Sequence, residues 1–444
     1  MKFLMKVIKN KRVILLFHVF LGYLLFLYPF LSTYLGLLII MVSTYHILSS
    51  HNYDELLPLQ YSAYIIGLEV LLRMSRSTLI WEFGKYSIIY FIILGLIRKR
   101  FVFNIYWPII LYFILLLPSI INLPLNSINL WRQDVSFNLS GPLCLAVLVI
   151  YLYNLHLTKK DLANILYYAM LPIISMSLVI IFKMPDIESY KFSPYSDPST
   201  SGGYGPNQVS TIFGFMIAGL SFGQIFKVEI SDSKIIDISC LILFIGLGLI
   251  TFSRGGLFAS LISIVLCMIV YHFSSLNKIE NLIKIISILI VIIIGWFSIV
   301  EITEGAISQR YGLSQTNPGE KFKLDLTGRA QIYSIDIKIF LDNFFSGVGP
   351  GQANQLRYVY GYGKHVAAHT EFSRMLAEHG LLGFLSLISL FGMALNKILF
   401  ISSQNSRSIA VLFGSLALLT MLHAAMRISM PCLAFALLFP KYYE

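Results

Sequence analysis

Residues 365–383, HVAAHTEFSRMLAEHGLLG, bring a histidine to the edge of an apolar run. His369 closes a long polar segment, and a short amphipathic stretch follows it. From 380 to 400 the chain then stays apolar for long enough to cross a bilayer. Imidazole is the side chain that changes charge near neutrality, so it suits proton transfer. At a lipid–water boundary it points to chemistry on a substrate that itself sits in lipid. Taken alone, a histidine here is more often a satisfied polar residue than a base, and His369 by itself leaves both readings open.

Three further polar motifs each open a helix. Gly205-Pro206-Asn207-Gln208 puts proline in a first turn, where its missing N–H costs nothing, and leaves Asn207 to reach outward or to cap. Phe252-Ser253-Arg254-Gly255-Gly256 offers Ser253 as an N-cap between two spans. Thr327-Gly328-Arg329 precedes AQIYSIDIKIFLDNFF, in which Ile332, Ile335, Ile339 and Leu341 form a helical stripe that the glycines from Gly347 to Gly351 end. Arg254 and Arg329 thus face the positive end of a helix dipole, which costs about 0.3–1 kcal/mol when exposed. An anion bound there reverses the sign, because backbone N–H groups and a guanidinium fork then share phosphate oxygens. Two such starts beside a membrane suggest a diphosphate carried on a lipid. The plainer readings are that Arg254 snorkels to headgroups and that Arg329 pairs with Asp325 or Glu320.

Tyr358, Tyr360 and Tyr362 alternate ahead of Lys364 and His365, where they would stack on sugar rings or form an interfacial belt. Glu378 and His379 either help orient His369 or belong to an ordinary polar helix face. Glu69, Arg73, Glu82 and Lys85 fall within apolar runs; they are expected to pair inside the bundle, and charges at that depth are functional candidates. Cys144, Cys240, Cys267 and Cys432 all lie in apolar runs without metal or disulfide spacing, which makes them packing residues. No metal site and no cofactor are expected.

These residues must be positioned by membrane helices. The chain of 444 residues is 57% hydrophobic and 12% charged, with a mean hydropathy of +0.76, so the bilayer is its solvent. Its net charge of +11 sits mainly in short loops between spans, which fits the positive-inside rule and anionic headgroups rather than nucleic acid. The N-terminal MKFLMKVIKNKR and the apolar stretch after it resemble the front of a signal peptide without a small-residue cleavage site. The expectation is an uncleaved first span. Apolar runs near 13–30, 32–48, 57–74, 78–97, 102–121, 141–156, 163–182, 207–226, 236–252, 255–273, 283–301, 380–400, 408–425 and 428–440 predict an all-α polytopic integral membrane protein of about 12–14 transmembrane helices. Residues 1–444 then form a single transmembrane domain. With the N-terminus inside, Arg98-Lys99-Arg100, Lys159-Lys160, Lys227, Lys234, Lys278, Lys284, Lys397 and Arg407 fall on the cytoplasmic face. The same alternation puts 122–140, 185–205, the turn at Arg254 and one long loop at 302–379 outside. That loop, with its amphipathic helices, is too long for a mere connector.

The four motifs together resemble the O-antigen ligase and polymerase superfamily of bacterial envelope glycan enzymes. Its histidine motif reads His, then Asn, Ser or Gln, nine residues, Gly, two residues, Gly. Here His369 is followed by Thr370, a departure at the second position, and then by nine residues, Gly380, two residues and Gly383. SRGG at 253–256 is similar to the family's arginine at the outer end of a span. Thr327-Gly328-Arg329 is similar to its loop arginine, with GVGPGQ at 347–352 in the familiar order, and Gly205–Gln208 also resembles a family feature. The likeness covers roughly residues 200–395.

The resemblance implies an inverting, metal-independent glycosyl transfer on the periplasmic face of the bacterial inner membrane. The donor would be a glycan on undecaprenyl diphosphate, and the acceptor a lipid or another glycan. Arg254 and Arg329 would bind the diphosphate, Asn207 would join them in holding the substrate, His369 would be the general base, and the loop at 302–379 would be catalytic. A ligase acceptor would be lipid A–core; a polymerase would join lipid-linked repeats; a protein-glycosylating ligase is a third member. From other classes, lipid-phosphate-sugar glycosyltransferases use an acidic pair such as Asp54-Glu55 in an outer loop, but the charge pattern puts that pair inside. A polysaccharide transporter or flippase would show broken helices in two related halves, and no repeat is apparent here.

Overall fold

The computed structural model describes residues 10–50, 54–76, 78–99, 104–124, 128–186, 196–274, 297, 300–301, 329–362, 368, 370–423 and 427–443. Most of the expected span near 283–301 and much of the loop at 302–379 fall outside these residues, as does His369. The first helices are α1 (Lys11–Leu27), α2 (Leu31–Ser49), α3 (Leu57–Met74), α4 (Phe83–Arg98) and α5 (Trp107–Ile114). Then come α6 (Ile128–Tyr153), α7 (Lys159–Lys183), α8 (Pro206–Phe226), α9 (Lys234–Ile250) and α10 (Arg254–Ser274). The last are α11 (Arg329–Asp342), α12 (Ala353–Arg357), α13 (Glu371–Phe400), α14 (Gln404–Thr420) and α15 (Met430–Ala436). Two short strands, β1 (His156–Thr158) and β2 (Lys441–Tyr443), pair in parallel with His156 opposite Lys441.

Helix α3 lies at the centre of the first half. Pro58 opens it, and every residue except Tyr61 is buried, as expected of a helix apolar on nearly all faces. It packs on α7, where Gly67 lies against the Ala169 carbonyl, and on α4. The start of α7 follows from Thr-Lys-Lys-Asp: Asp161 N–H donates to Thr158 Oγ1 at 3.1 Å, and Thr158 N–H donates to Asp161 Oδ2 at 2.8 Å. In the second half, α10 packs on α8 and on α14. Glycines set the first approach, with Gly214 against the Gly256 carbonyl and Gly256 against the Ser210 carbonyl.

Among the described residues, six helices are long and apolar enough to cross a membrane: Leu31–Ser49, Asn129–Tyr153, Lys159–Lys183, Pro198–Phe226, Arg254–His272 and Glu371–Phe400. Large apolar side chains point outward from several helices, including Tyr34, Leu38 and Met41 on α2 and Ile388, Leu395 and Leu399 on α13. That inversion is what a hydrocarbon solvent demands. Other runs expected as spans are shorter or interrupted. The run at 102–121 is two pieces, α5 and a tighter turn at Pro118–Asn122, because Pro118 cannot continue the hydrogen-bond ladder. The run at 428–440 holds only the seven residues of α15. Helix α6 starts at Ile128 rather than near 141, so most of the presumed outer loop at 122–140 is helical.

Any side chain at Gly256 must push α10 away from α8. Gly256→Leu is expected to cost about 1–3 kcal/mol or more by overpacking, read as a lowered melting temperature in detergent, whereas Gly246→Ala, with open space around its Cα, leaves it nearly unchanged.

Candidate active site

Two of the helix starts meet. Ser253 Oγ donates to Asn207 Oδ1 at 2.8 Å, and Ser210 Oγ donates to the Ser253 carbonyl at 2.8 Å. The GPNQ motif and the SRGG motif are therefore one structural feature, with half-buried Arg254 in the first turn of α10. His423 covers this corner: its ring lies against Gly255, and Nε2 is 2.9 Å from Thr211 Oγ1. The third start, Arg329, opens α11, and its side chain lies outside the described residues.

Helix α11 carries its expected stripe in part. Ile332, Ile335 and Ile339 are buried, but Leu341 is exposed, because the helix ends at Asp342, before the glycines. Between the isoleucines, fully buried Asp336 receives Arg357 Nε at 2.6 Å and Ser373 Oγ at 2.6 Å. It thereby ties α11 to α12 and to the start of α13.

Helix α13 is broken at Gly380, where φ is +60° and ψ −141°. The carbonyls of Ala377 and Glu378 accept instead from Val348 N–H (3.1 Å) and Gly349 N–H (2.9 Å), while Leu381 N–H donates to the Phe344 carbonyl at 2.6 Å. Gly347, Gly349 and Gly351 all have positive φ, which lets the chain turn tightly enough to reach these groups. The amphipathic stretch and the apolar run read from the sequence are thus the two halves of one broken helix.

The first half of α13, together with α6 and α12, encloses a cavity of about 110 Å³ that opens to the surface. Its charged lining is Asp134, Arg357, Glu371, Arg374, Glu378 and Arg427, with Phe137, Asn138, Gly351, Asn354 and Ala368 between them. Arg374 organises one wall. It pairs with both oxygens of Glu371, donates to Glu378 Oε2 at 2.7 Å and donates to Asn138 Oδ1 at 2.8 Å. Arg427 forms another, donating through Nη2 to the Ala368 carbonyl at 2.5 Å. Burial, and then the nearby Arg374 guanidinium, lower the Arg427 pKa from its ordinary value. Ala368 directly precedes His369 in the sequence.

Behind Arg427 stands the buried charge cluster that the sequence flagged. Arg73 donates to Glu69 Oε1 at 2.7 Å and lies 3.7 Å from Glu82, which holds Lys85 at 2.5 Å. Arg73 Nη1 also donates to the Arg427 carbonyl at 2.8 Å, and Glu69 Oε2 accepts from both N–H and Oγ of Ser429. Two acids and two bases balance, and their remaining capacity fixes residues 427–429.

The other expected residues fall elsewhere. The three tyrosines occupy a widened helical turn at Tyr358–Tyr362 and are not among the cavity's lining residues. Tyr358 is exposed, while Tyr360 and Tyr362 pack beside Ile335 and Ile339. Tyr360 donates to Asp342 Oδ2 at 2.7 Å, and that bond, then burial, raises its pKa. Glu378 lines the cavity, but His379 turns away to Ser119 Oγ (2.6 Å) and the Leu116 carbonyl. Arg357, Arg374, Arg427, Asp134 and Asp336 escaped the sequence reading. Glu371, Arg374 and Glu378 sit three and four residues apart, a one-face signature that was there to be read. Arg427 and Asp134 carried no comparable signal.

Residues 239–388 match the family model described as O-antigen ligase. The chain carries an O-antigen ligase domain over that stretch. No curated protein matches the chain. The O-antigen ligase domain begins within α9 and ends within α13, so it takes in Arg254, Arg329, Arg357, His369 and Arg374. Asn207, Asp134, Asn138 and Arg427 lie outside it. The cavity is thus closed on one side by residues beyond the O-antigen ligase domain.

Arg73→Met strands the Glu69 carboxylate in the bundle, while Glu82 keeps Lys85, and breaking such a pair costs about 3–5 kcal/mol. Glu69→Gln combined with Arg73→Met removes a charge of each sign and is expected to recover much of that loss, as read by thermal unfolding of the purified proteins.

Proposed function

We propose that this membrane protein transfers a glycan from undecaprenyl diphosphate to an acceptor hydroxyl at the periplasmic face of the bacterial inner membrane. The observation that carries the reading is the O-antigen ligase domain at 239–388, which holds Arg254, Arg329 and His369 together in one stretch. In this reaction His369 takes the proton from the acceptor hydroxyl. The freed oxygen attacks the anomeric carbon from the face opposite the leaving group, and the carbon–oxygen bond to the diphosphate breaks with inversion. Undecaprenyl diphosphate leaves with the electron pair. Arg254 and Arg329, each in the first turn of a helix, bind that diphosphate and stabilise the charge growing on it. The half-buried position of Arg254 beside the Asn207–Ser253 bond supports a held rather than a freely snorkelling guanidinium. Asn207 acts by fixing that corner.

A ligase passing the finished glycan to lipid A–core is the reading favoured by the spacing of the histidine motif. A polymerase joining lipid-linked repeats would use the same donor site. Transport, the alternative of another class, is less well supported, because the sequence carries no internal repeat of the kind that relates two halves of a transporter. Tyr358, Tyr360 and Tyr362 remain candidates for contact with the glycan, Tyr358 foremost because it is exposed.

His369→Ala is expected to lower transfer by about 10²–10⁴-fold, and Arg254→Ala or Arg329→Ala by about 10²–10³-fold, with membrane insertion unchanged. Full activity of the purified His369→Ala protein would sink the catalytic assignment. Deleting the protein separates the readings. Loss of a ligase leaves bare core with long polymer on undecaprenyl diphosphate, and loss of a polymerase leaves core capped with one repeat. Loss of a transporter strands single repeats on the cytoplasmic side.

A further inference from the structure

The charges around the cavity nearly cancel. Arg357, Arg374 and Arg427 face Asp134, Glu371 and Glu378, and Asp336 behind the wall is already paired with Arg357. The surroundings therefore carry a slight excess of negative charge. A diphosphate would enter against that balance and would have to pull Arg374 from the two carboxylates it holds.

What the cavity does offer is hydrogen-bonding capacity beside an aromatic ring. Asp134 uses Oδ2 to accept from Gln352 Nε2 at 2.8 Å, while its Oδ1 faces Gly351. A Cβ on Gly351 would sit 2.8 Å from that oxygen and 2.9 Å from Asn138 Nδ2, so the glycine keeps open the space beside both atoms. Its φ of +78° fixes the same choice from the backbone side. Asn354 adds an exposed amide, which can both donate and accept. The Phe137 ring is partly exposed at the same wall and is braced from behind by Lys85 Nζ, 5.8 Å from its centroid.

We propose that this cavity is a subsite for an uncharged sugar ring, the one that bears the accepting hydroxyl. Sugar hydroxyls donate to Asp134 Oδ1 and accept from the amides of Asn138 and Asn354, and the C–H face of the ring lies on Phe137. The assignment rests on the glycan transfer proposed above and adds which groups hold the acceptor. It also separates two tasks in space: the diphosphate goes to the helix starts at Arg254 and Arg329, and the neutral sugar goes to the charge-balanced cavity. The accepting sugar is placed here because Ala368, the neighbour of His369 in sequence, forms part of the wall.

The native cysteines are all buried, so a cysteine introduced by Asn354→Cys is the one a small maleimide labels. Methyl glycosides of neutral hexoses, at tens of millimolar, are expected to slow this labelling about three-fold, and inorganic diphosphate or methyl glucuronide is not. Asp134→Ala in the same background is expected to abolish the protection while leaving the unprotected labelling rate unchanged. Protection by diphosphate or by the glucuronide instead, or by none of the probes, overturns the proposal. Labelling needs no turnover, so it stands apart from the success or failure of the transfer reaction. In the transfer assay, Asp134→Asn is expected to raise the acceptor KM about ten-fold with the donor KM unchanged. A rise confined to the donor overturns the assignment to the acceptor.

Discussion

A helix inside a bilayer cannot simply open, because each freed N–H or carbonyl loses a partner that no water replaces. Helix α13 opens at Gly380 because the chain at Phe344–Gly349 supplies those partners, two N–H groups for the carbonyls of Ala377 and Glu378 and one carbonyl for Leu381 N–H. The exchange locks the glycine-rich segment to the broken turn. It also fixes the direction of the first half of α13, and so brings Glu371, Arg374 and Glu378 against Asp134 and Asn138 on α6. The cavity is a consequence of that break. A continuous α13 would have no use for the positive φ at Gly347 and Gly349, and Gly351 would have no reason to lie beside Asp134.

The opposite wall depends on buried charge. Glu69, Arg73, Glu82 and Lys85 are all nearly inaccessible, and removing them from water costs more than simple packing would. A neutral cluster of this kind adds little net stability over apolar residues of equal size. Its value lies in specificity. Arg73 and Glu69 spend their remaining hydrogen bonds on the carbonyl of Arg427 and on Ser429, and Arg427 in turn holds the Ala368 carbonyl. Three segments far apart in sequence are thus brought to one register by groups that accept few alternative geometries.

How much of this was legible follows from what each signal measures. The bilayer class and the helical content follow from the apolar runs, because hydrocarbon admits few solutions for the backbone. The break at Gly380 was legible as a change from an amphipathic to an apolar pattern, and the Glu69–Lys85 cluster as charges where charges are costly. Asn207 and Ser253 each marked a helix start, but their hydrogen bond joins residues 46 apart, and no local pattern encodes it. Asp134 sat in what read as a loop, since Pro142 and the polar residues before it masked the early start of α6. Arg427 was invisible for a different reason. Its role is set by a carbonyl and a guanidinium reached through folding, and an arginine between two spans looks like any headgroup contact.

Arginines stand in two physical settings in this molecule, and paired carboxylates define one of them. Arg73, Arg357 and Arg374 are satisfied internally by Glu69, Asp336, Glu371 and Glu378; they build walls and have little charge left for a ligand. Arg254 and Arg329 stand in first helical turns, where the dipole adds positive potential rather than removing it. For the proposed transfer, a donor with a charged leaving group and an acceptor with none call for two different environments. A single arginine-lined pocket would hold the diphosphate well, but it would also hold the product diphosphate against release. In the proposed arrangement, a sugar in the balanced cavity is recognised by its hydroxyl pattern, while the potential at the helix starts acts on the charge that the reaction creates.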